Sequence, residues 1–170
     1  MPGIHVDNLK GAIKAYARAY MFNIWFTSVP PAKDLEGDPT AYLVRSGTLP
    51  ESTIDVIEVP WQGQIQKIAS THTFSEWEVT FNVDSKATIK KNMDIWSKAV
   101  HSPTDNVHGV PLEYYGSAHV ELLDIDGEPI VKYEIVDMWP STVGAIELAQ
   151  DSKEVAQLAV TFTYNYHKIV

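Results

Sequence analysis

The chain has 170 residues, 45% of them apolar and 21% charged, which marks a globular protein of about one domain and excludes a disordered chain. Its net charge of −9, with 13 basic residues against 22 acids, argues against tight nucleic-acid binding, which draws its affinity from Lys and Arg on phosphates. The absence of cysteine removes disulfides, thiolate zinc sites and cysteine nucleophiles, and fits a reducing compartment.

Met1-Pro2-Gly3-Ile4-His5 lacks the basic segment and apolar core of a signal peptide. Residues 7–20 read as a short helix, with Asp7 or Asn8 as cap and Leu9, Ile13, Tyr16 and Tyr20 along one face. Residues 21–27 read as an aromatic strand, ended by Pro30-Pro31. Asn23 interrupts the apolar stretch from Tyr20 to Phe26, which is far too short for a membrane span. A polar loop through Gly37-Asp38-Pro39 follows, and Tyr42 to Arg45 is expected as the return strand of a long hairpin. Residues 50–70 read as a long, partly extended arm. Ile54 to Val59 runs into Pro60, and the stretch from Trp61 carries Gln62, Gln64 and Gln66.

Phe74 to Asp84 is the clearest strand. Trp77, Val79, Phe81 and Val83 share one face, and Glu76, Glu78, Thr80, Asn82 and Asp84 share the other. Asp84-Ser85 offers a cap for a helix over about 86–101, with Ile89, Met93, Trp96 and Val100 on one stripe. Residues 101–110 read as loop and 117–123 as strand. Asp126-Gly127 is a type I′ hairpin signal, and 130–138 is the return strand. Residues 139–144 read as loop. The last strand, 154–166, puts Leu158, Val160, Phe162, Tyr164 and Tyr166 on one face and Ala159, Thr161, Thr163 and Asn165 on the other. The expected fold class is α+β. It is mainly an antiparallel β sandwich or barrel with one helix packed between strands, in a single domain over 1–170.

Chemistry-bearing clusters are sparse. The six histidines lack the paired spacing of a zinc site; His101 and His108 stand seven apart in a loop, and His72 and His119 lie alone on strands. Asp124-Ile125-Asp126-Gly127 has the look of a calcium loop, but Leu122 stands where an acid is needed and strands flank it. Glu76 and Glu78 share a strand face as a glycosidase pair does, yet nothing places them in a cleft. Phosphate loops and nucleophile elbows are absent from the sequence. The expectation is a protein that is not an enzyme and holds no cofactor and no metal.

Leu49-Pro50, the arm, and Thr73 to Asp84 resemble the middle of the tail tube proteins of contractile-tailed bacteriophages. Met138-Trp139-Pro140-Ser141-Thr142-Val143-Gly144, then Asp151-Ser152 and an alternating strand ending at Tyr166, is similar to that family's carboxyl end. The helix with Trp96 and the segment from Glu113-Tyr114 to His119 fall between them in matching order, so the resemblance covers about residues 45–170. It implies a structural protein of the virion tail, assembled in the host cytoplasm. Six subunits would form a ring whose sheets join into one inner β-barrel, and rings would stack into a hollow tube. Implied partners are further copies, the sheath, tape-measure, baseplate and tail-terminator proteins, and DNA passing through without specific binding.

Within that frame, Leu49, Pro50, Trp61, Gln62, Gln64 and Gln66 are candidates for ring stacking, with the amino-terminal segment second. Ala159, Thr161, Thr163 and Asn165 are candidates for the lumen lining. Six copies would carry 6 × (−9) = −54 formal charges, which repel DNA phosphates rather than trap them. A tube of a type VI secretion system or of a phage-tail-like bacteriocin shares this fold and stays open as an alternative. A small hydrolase or carbohydrate-binding β-domain is the alternative from another class.

Overall fold

The computed structural model describes residues 16–151 and 153–170. Most of the helix expected over 7–20 lies outside them, and residues 16–20 form coil and a turn.

Ten strands follow: β1 (Phe22–Ser28), β2 (Val44–Gly47), β3 (Ser52–Trp61), β4 (Gln64–Phe74), β5 (Trp77–Asn82), β6 (His101–Ser102), β7 (Val107–His108), β8 (Gly116–Leu123), β9 (Pro129–Val143) and β10 (Gln157–Ile169). Six of them form one antiparallel sheet in the order β1-β8-β9-β10-β5-β2, while β3-β4 and β6-β7 are separate pairs. The helices are α1 (Asp38–Ala41), α2 (Thr88–Val100) and α3 (Pro111–Tyr114). The α+β class holds, with a single curled sheet carrying the long helix α2 on its buried face.

The period of two in β5 is realised: Trp77, Val79 and Phe81 are buried, while Glu78 is exposed and Thr80 and Asn82 are half-buried. On β10, Leu158, Val160, Phe162 and Tyr164 face the core. Helix α2 buries Ile89, Met93 and Trp96, the stripe read from spacing. Its start is fixed by Asp84, whose carboxylate accepts from the Thr88 backbone N–H (2.7 Å) and hydroxyl (2.8 Å). That hydroxyl bond is the main reason the Asp84 carboxyl sits below the usual range.

The sheet bends until its two end strands approach. A Cβ on Gly47 of β2 would collide with Ile24 Cδ1 of β1. Phe26 of β1 meets Phe81, Phe162 and Trp96 at ring-centre distances of 6.2, 5.7 and 5.9 Å. The Trp96 indole N–H donates to the Tyr114 carbonyl (2.7 Å). Gly116 lets this ring lie flat on the sheet, since a Cβ there would stand 2.6 Å from Trp96 Cζ2.

Several expectations are corrected. The segment Tyr42 to Arg45 is not the return strand for residues 21–27; β2 pairs with β5 at the opposite end of the sheet. The polar stretch before it folds into a 3-10 turn (Lys33–Leu35) and α1 rather than open loop. Residues 139–143 are not loop but continue β9 along β10, through Phe162↔Pro140, Thr161↔Thr142 and Val160↔Val143. Pro140 is tolerated because β8 has already ended at Gly116, opposite Met138, so no ladder is needed on that side. A left-handed residue, Asp137 (φ 55°), bends the strand just before this change of neighbours.

At the Asp126-Gly127 turn only Gly127 is left-handed (φ 83°), so the turn is not type I′. The Gly127 N–H donates to the Asp124 carbonyl and the Asp124 N–H to the Glu128 carbonyl, giving a three-residue loop with a bulge. Residues 101–110 hold the β6-β7 ladder, and Phe74 closes β4 rather than opening β5. Tyr166, expected on the core face, is 43% exposed.

Candidate assembly interface

Strands β3 and β4 form a hairpin in register from Ser52↔Phe74 to Trp61↔Gln64. Its loop is Gln62-Gly63, with φ of 46° and 82°. Positive φ at both central residues is the two-residue geometry whose twist matches that of the flanking strands. A strand of ten residues extends about 33 Å, and among the described residues the hairpin meets the rest of the chain at its base.

There the Phe74 ring packs on Tyr164 (5.9 Å) and His167 (5.1 Å). The Ser75 N–H and the Tyr164 hydroxyl both donate to the Glu51 carbonyl, at 3.3 and 3.2 Å. The Trp77 indole N–H donates to the Thr48 carbonyl (2.7 Å). Burial pushes the Tyr164 hydroxyl above its usual range, with the Glu51 carboxylate adding to it. Burial holds His167 below the usual imidazole range, with His72 adding to it.

Every residue from Ser52 to Thr73 is exposed. Among them are Ile54, Val56, Ile57, Val59, Trp61, Ile65 and Ile68, with Trp61 the most open at 70%. Val56 and Ile57 are consecutive on β3, so they point to opposite faces and both faces of the ribbon carry apolar side chains; a bulge in β4 opposite Ile54 to Val56 shifts the register. Fully burying one such side chain is worth about 1.5–3 kcal/mol, so covering seven would yield on the order of 10 kcal/mol per subunit. An isolated two-stranded hairpin is marginal in water. Among the described residues, nothing covers this one.

The structure gathers Trp61, Gln62, Gln64 and Gln66 at the hairpin tip: Trp61 faces Gln64, and Gln66 faces Val59. Leu49 and Pro50 lie at the other end, by the base. Leu49 lines an apolar cleft of about 320 Å³ with Phe22, Ile24, Gly47, Val120 and Leu122, at the mouth between the two end strands. Sequence reasoning missed that the arm is a hairpin. Gly63 between two extended runs was the signal, masked by a glutamine where asparagine or aspartate is usual.

Ala159, Thr161, Thr163 and Asn165 lie along β10 on the face away from the core, Ala159 and Asn165 exposed and the two threonines half-buried. Asn165 donates to the Asp137 carboxylate (3.2 Å), and Thr161 pairs across to Glu78 and Thr142. Farther along this face, His119 stacks on Trp25 at 5.3 Å and its Nδ1 meets the Thr27 hydroxyl at 2.6 Å. Burial, then the Lys132 charge, holds His119 below the usual imidazole range. Lys132 pairs with Glu121 (3.2 Å) and Lys168 with Glu134 (2.9 Å).

His5 lies outside the described residues, and the five described histidines each have an aromatic neighbour rather than standing alone as the sequence suggests. His72 packs on Phe74 (4.6 Å), and His101 and His108 face each other across β6-β7 (4.4 Å). Glu76 falls in the break before β5 while Glu78 is on the strand, so the two carboxylates do not share one strand face. No helix among the described residues is long and apolar enough to cross a membrane.

A family model described as phage tail tube protein matches residues 17–170. The tail tube protein gp19 of Enterobacteria phage T4 is 26% identical over 166 residues, covering 95% of this chain and 98% of that protein. Among solved structures, the chain is similar to one in the sheath-tube complex of an extracellular contractile injection system, PVC, in its extended state. The TM-score is 0.67 at 12% identity, over 99% of both chains. A type six secretion system protein is similar in fold at a TM-score of 0.51 and 11% identity, over 87% of this chain and 81% of that one.

Proposed function

This chain belongs to the phage tail tube protein family, and on that premise we propose that six copies close into a ring and that rings stack into the inner tube of a contractile tail. The observation that carries the proposal is the hairpin Ser52–Phe74, exposed at every residue from Ser52 to Thr73, with apolar side chains on both faces. A surface of this kind is stable only when a neighbour covers it. Further copies are the partners the family supplies. An interface made between unlike patches, passed from ring to ring without closing, gives a filament.

The tip residues Trp61, Gln62, Gln64 and Gln66 make the outward contact, and Leu49 and Pro50 sit where the hairpin leaves the sheet. Strands β1 and β2 end the six-stranded sheet, and among the described residues the outer side of β1 carries only the single bridge Phe26↔Glu36. Side-by-side joining of such sheets into a common barrel removes those edges. The helix occupies one face of the sheet, so the uncovered face with Ala159, Thr161, Thr163 and Asn165 turns to the lumen. Those four side chains are short and neutral, and farther along the face Lys132 and Lys168 are paired with Glu121 and Glu134, so passing DNA finds little free positive charge to hold.

The tube lies within a sheath, ends at a baseplate and a terminator, and encloses a tape-measure protein before ejection. The protein is a virion tail component assembled in the host cytoplasm, and it has no catalytic role. The match to the phage T4 protein over nearly its whole length favours a phage tail over a secretion tube.

The test is a variant in which residues 55–71 are replaced by a short glycine linker, leaving Glu51, Phe74 and Ser75 at the base. The intact chain at high concentration should give rings or tubes in negative-stain micrographs. The variant should keep its unfolding temperature and give no tubes. Tubes of normal length from the variant, or an intact chain that stays a monomer in every condition, would overturn the proposal.

A further inference from the structure

Helix α2 ends at Val100, and the chain passes directly into β6-β7, where His101 pairs with His108 and Ser102 with Val107. The ribbon is held at its open end by the Gly109 N–H donating to the Val100 carbonyl (3.0 Å). At the turn, the Ser102 hydroxyl donates to the Asp105 carboxylate (3.4 Å) and Asn106 is left-handed (φ 52°). The two imidazoles lie side by side, ring centres 4.4 Å apart and planes inclined by 44°. His101 is half-buried and His108 exposed. Among the described residues, no hydrogen bond or ion pair engages either ring.

We propose that His101 and His108 form a two-imidazole site for a divalent copper or nickel ion. Donor type and number select the metal class. Two neutral imidazoles facing each other across a ladder can each turn one nitrogen onto a shared ion, and imidazole suits copper, nickel and zinc, with copper(II) bound most tightly in the usual affinity order. Among the described residues no third His, Cys, Asp or Glu completes the set. The remaining positions therefore go to water, and the ion is exchangeable, unlike a closed structural zinc. Asp94 and Lys98 of α2 line the groove beside His101, and Asp94 is already paired with Lys90 at 2.9 Å.

The test uses the full chain with copper(II), nickel(II) and zinc(II) salts, read by titration calorimetry and by paramagnetic broadening of histidine ring signals. Expected are one copper per chain, broadening first at His101 and His108, and weaker binding in the order copper, nickel, zinc. His101→Gln and His108→Gln should each weaken copper binding at least tenfold. His72→Gln should leave it unchanged. His108 is exposed, so His108→Gln should keep the unfolding temperature of the metal-free chain, which separates loss of the site from loss of the fold. Unchanged copper affinity in His108→Gln, broadening spread evenly over the other histidines, or no binding at all would overturn the site.

Discussion

The six-stranded sheet and the hairpin are built from the same kinds of residues and end in opposite states. In the sheet, one face of each strand meets α2 and the aromatic cluster of Phe26, Phe81, Trp96 and Phe162, and the apolar positions are fully buried. In the hairpin, Ile54, Val56, Ile57 and Val59 follow one another across a bulge, and each is at least 41% exposed. One sheet face against one helix satisfies a strand that alternates. A strand that is apolar on both faces needs cover on both faces, and the described residues of this chain offer it none. On the proposed function, the two regions separate folding from assembly along one chain.

Two tryptophans break the comparison most sharply. Trp96 is fully buried and hydrogen-bonded; Trp61 is 70% exposed at the hairpin tip. Trp96→Ala should lower unfolding stability by about 3–5 kcal/mol in denaturant titration. Trp61→Ala should change it by less than about 0.5 kcal/mol while reducing tube yield in micrographs. Equal stability losses in the two variants would show that the hairpin folds back onto the body. A smaller effect tests the body alone. Gly116→Ala pushes a methyl into the Trp96 indole and should cost about 1–3 kcal/mol.

The smallest effect probes the junction. His119 and His167 both sit below the usual imidazole range, so the fold favours their neutral forms. The unfolded chain then takes up protons first, near pH 6.5, and stability falls as pH drops from 7 toward 5. Asp84 and Glu134 are held below the usual carboxylate range by the Thr88 hydroxyl and by Lys168, so their contribution persists until pH falls below about 4. His167→Gln should flatten part of the loss between pH 7 and 5, measured as unfolding temperature. A wild-type curve that is flat over that range would contradict burial of the two imidazoles.

Strands β5 and β10 and the stripe of α2 were readable because each packs on one side, so burial leaves a single period in the sequence. Pairing was not readable for Val44 to Gly47, because a short strand carries no mark of its partner and the nearest strand in sequence was the wrong one. Trp139 to Val143 looked like punctuation because proline and glycine were weighed as breakers. The ending of β8 at Gly116, which frees one side of β9, is a tertiary fact. The two turns exchanged roles for a related reason: Asp126-Gly127 had the favoured residues, but three loop residues rather than two set its geometry. Trp61, Gln62, Gln64 and Gln66 meet near the hairpin loop because they are neighbours in sequence. The meeting of His101 with His108 needed a ladder that spans only two residues on each side.

The hairpin also bears on how a freshly made subunit avoids sticking to the wrong thing. Its rims are not uniformly greasy: Pro60 interrupts one strand, Asp55 adds a charge, and Glu58 faces Lys67 across the ribbon at 3.5 Å. Such residues discourage casual strand addition by foreign chains. In the proposed tube, a subunit awaiting its ring would carry an adhesive with a guard on it. Growth of that polymer would be decided by a matching surface on the next copy rather than by stickiness alone.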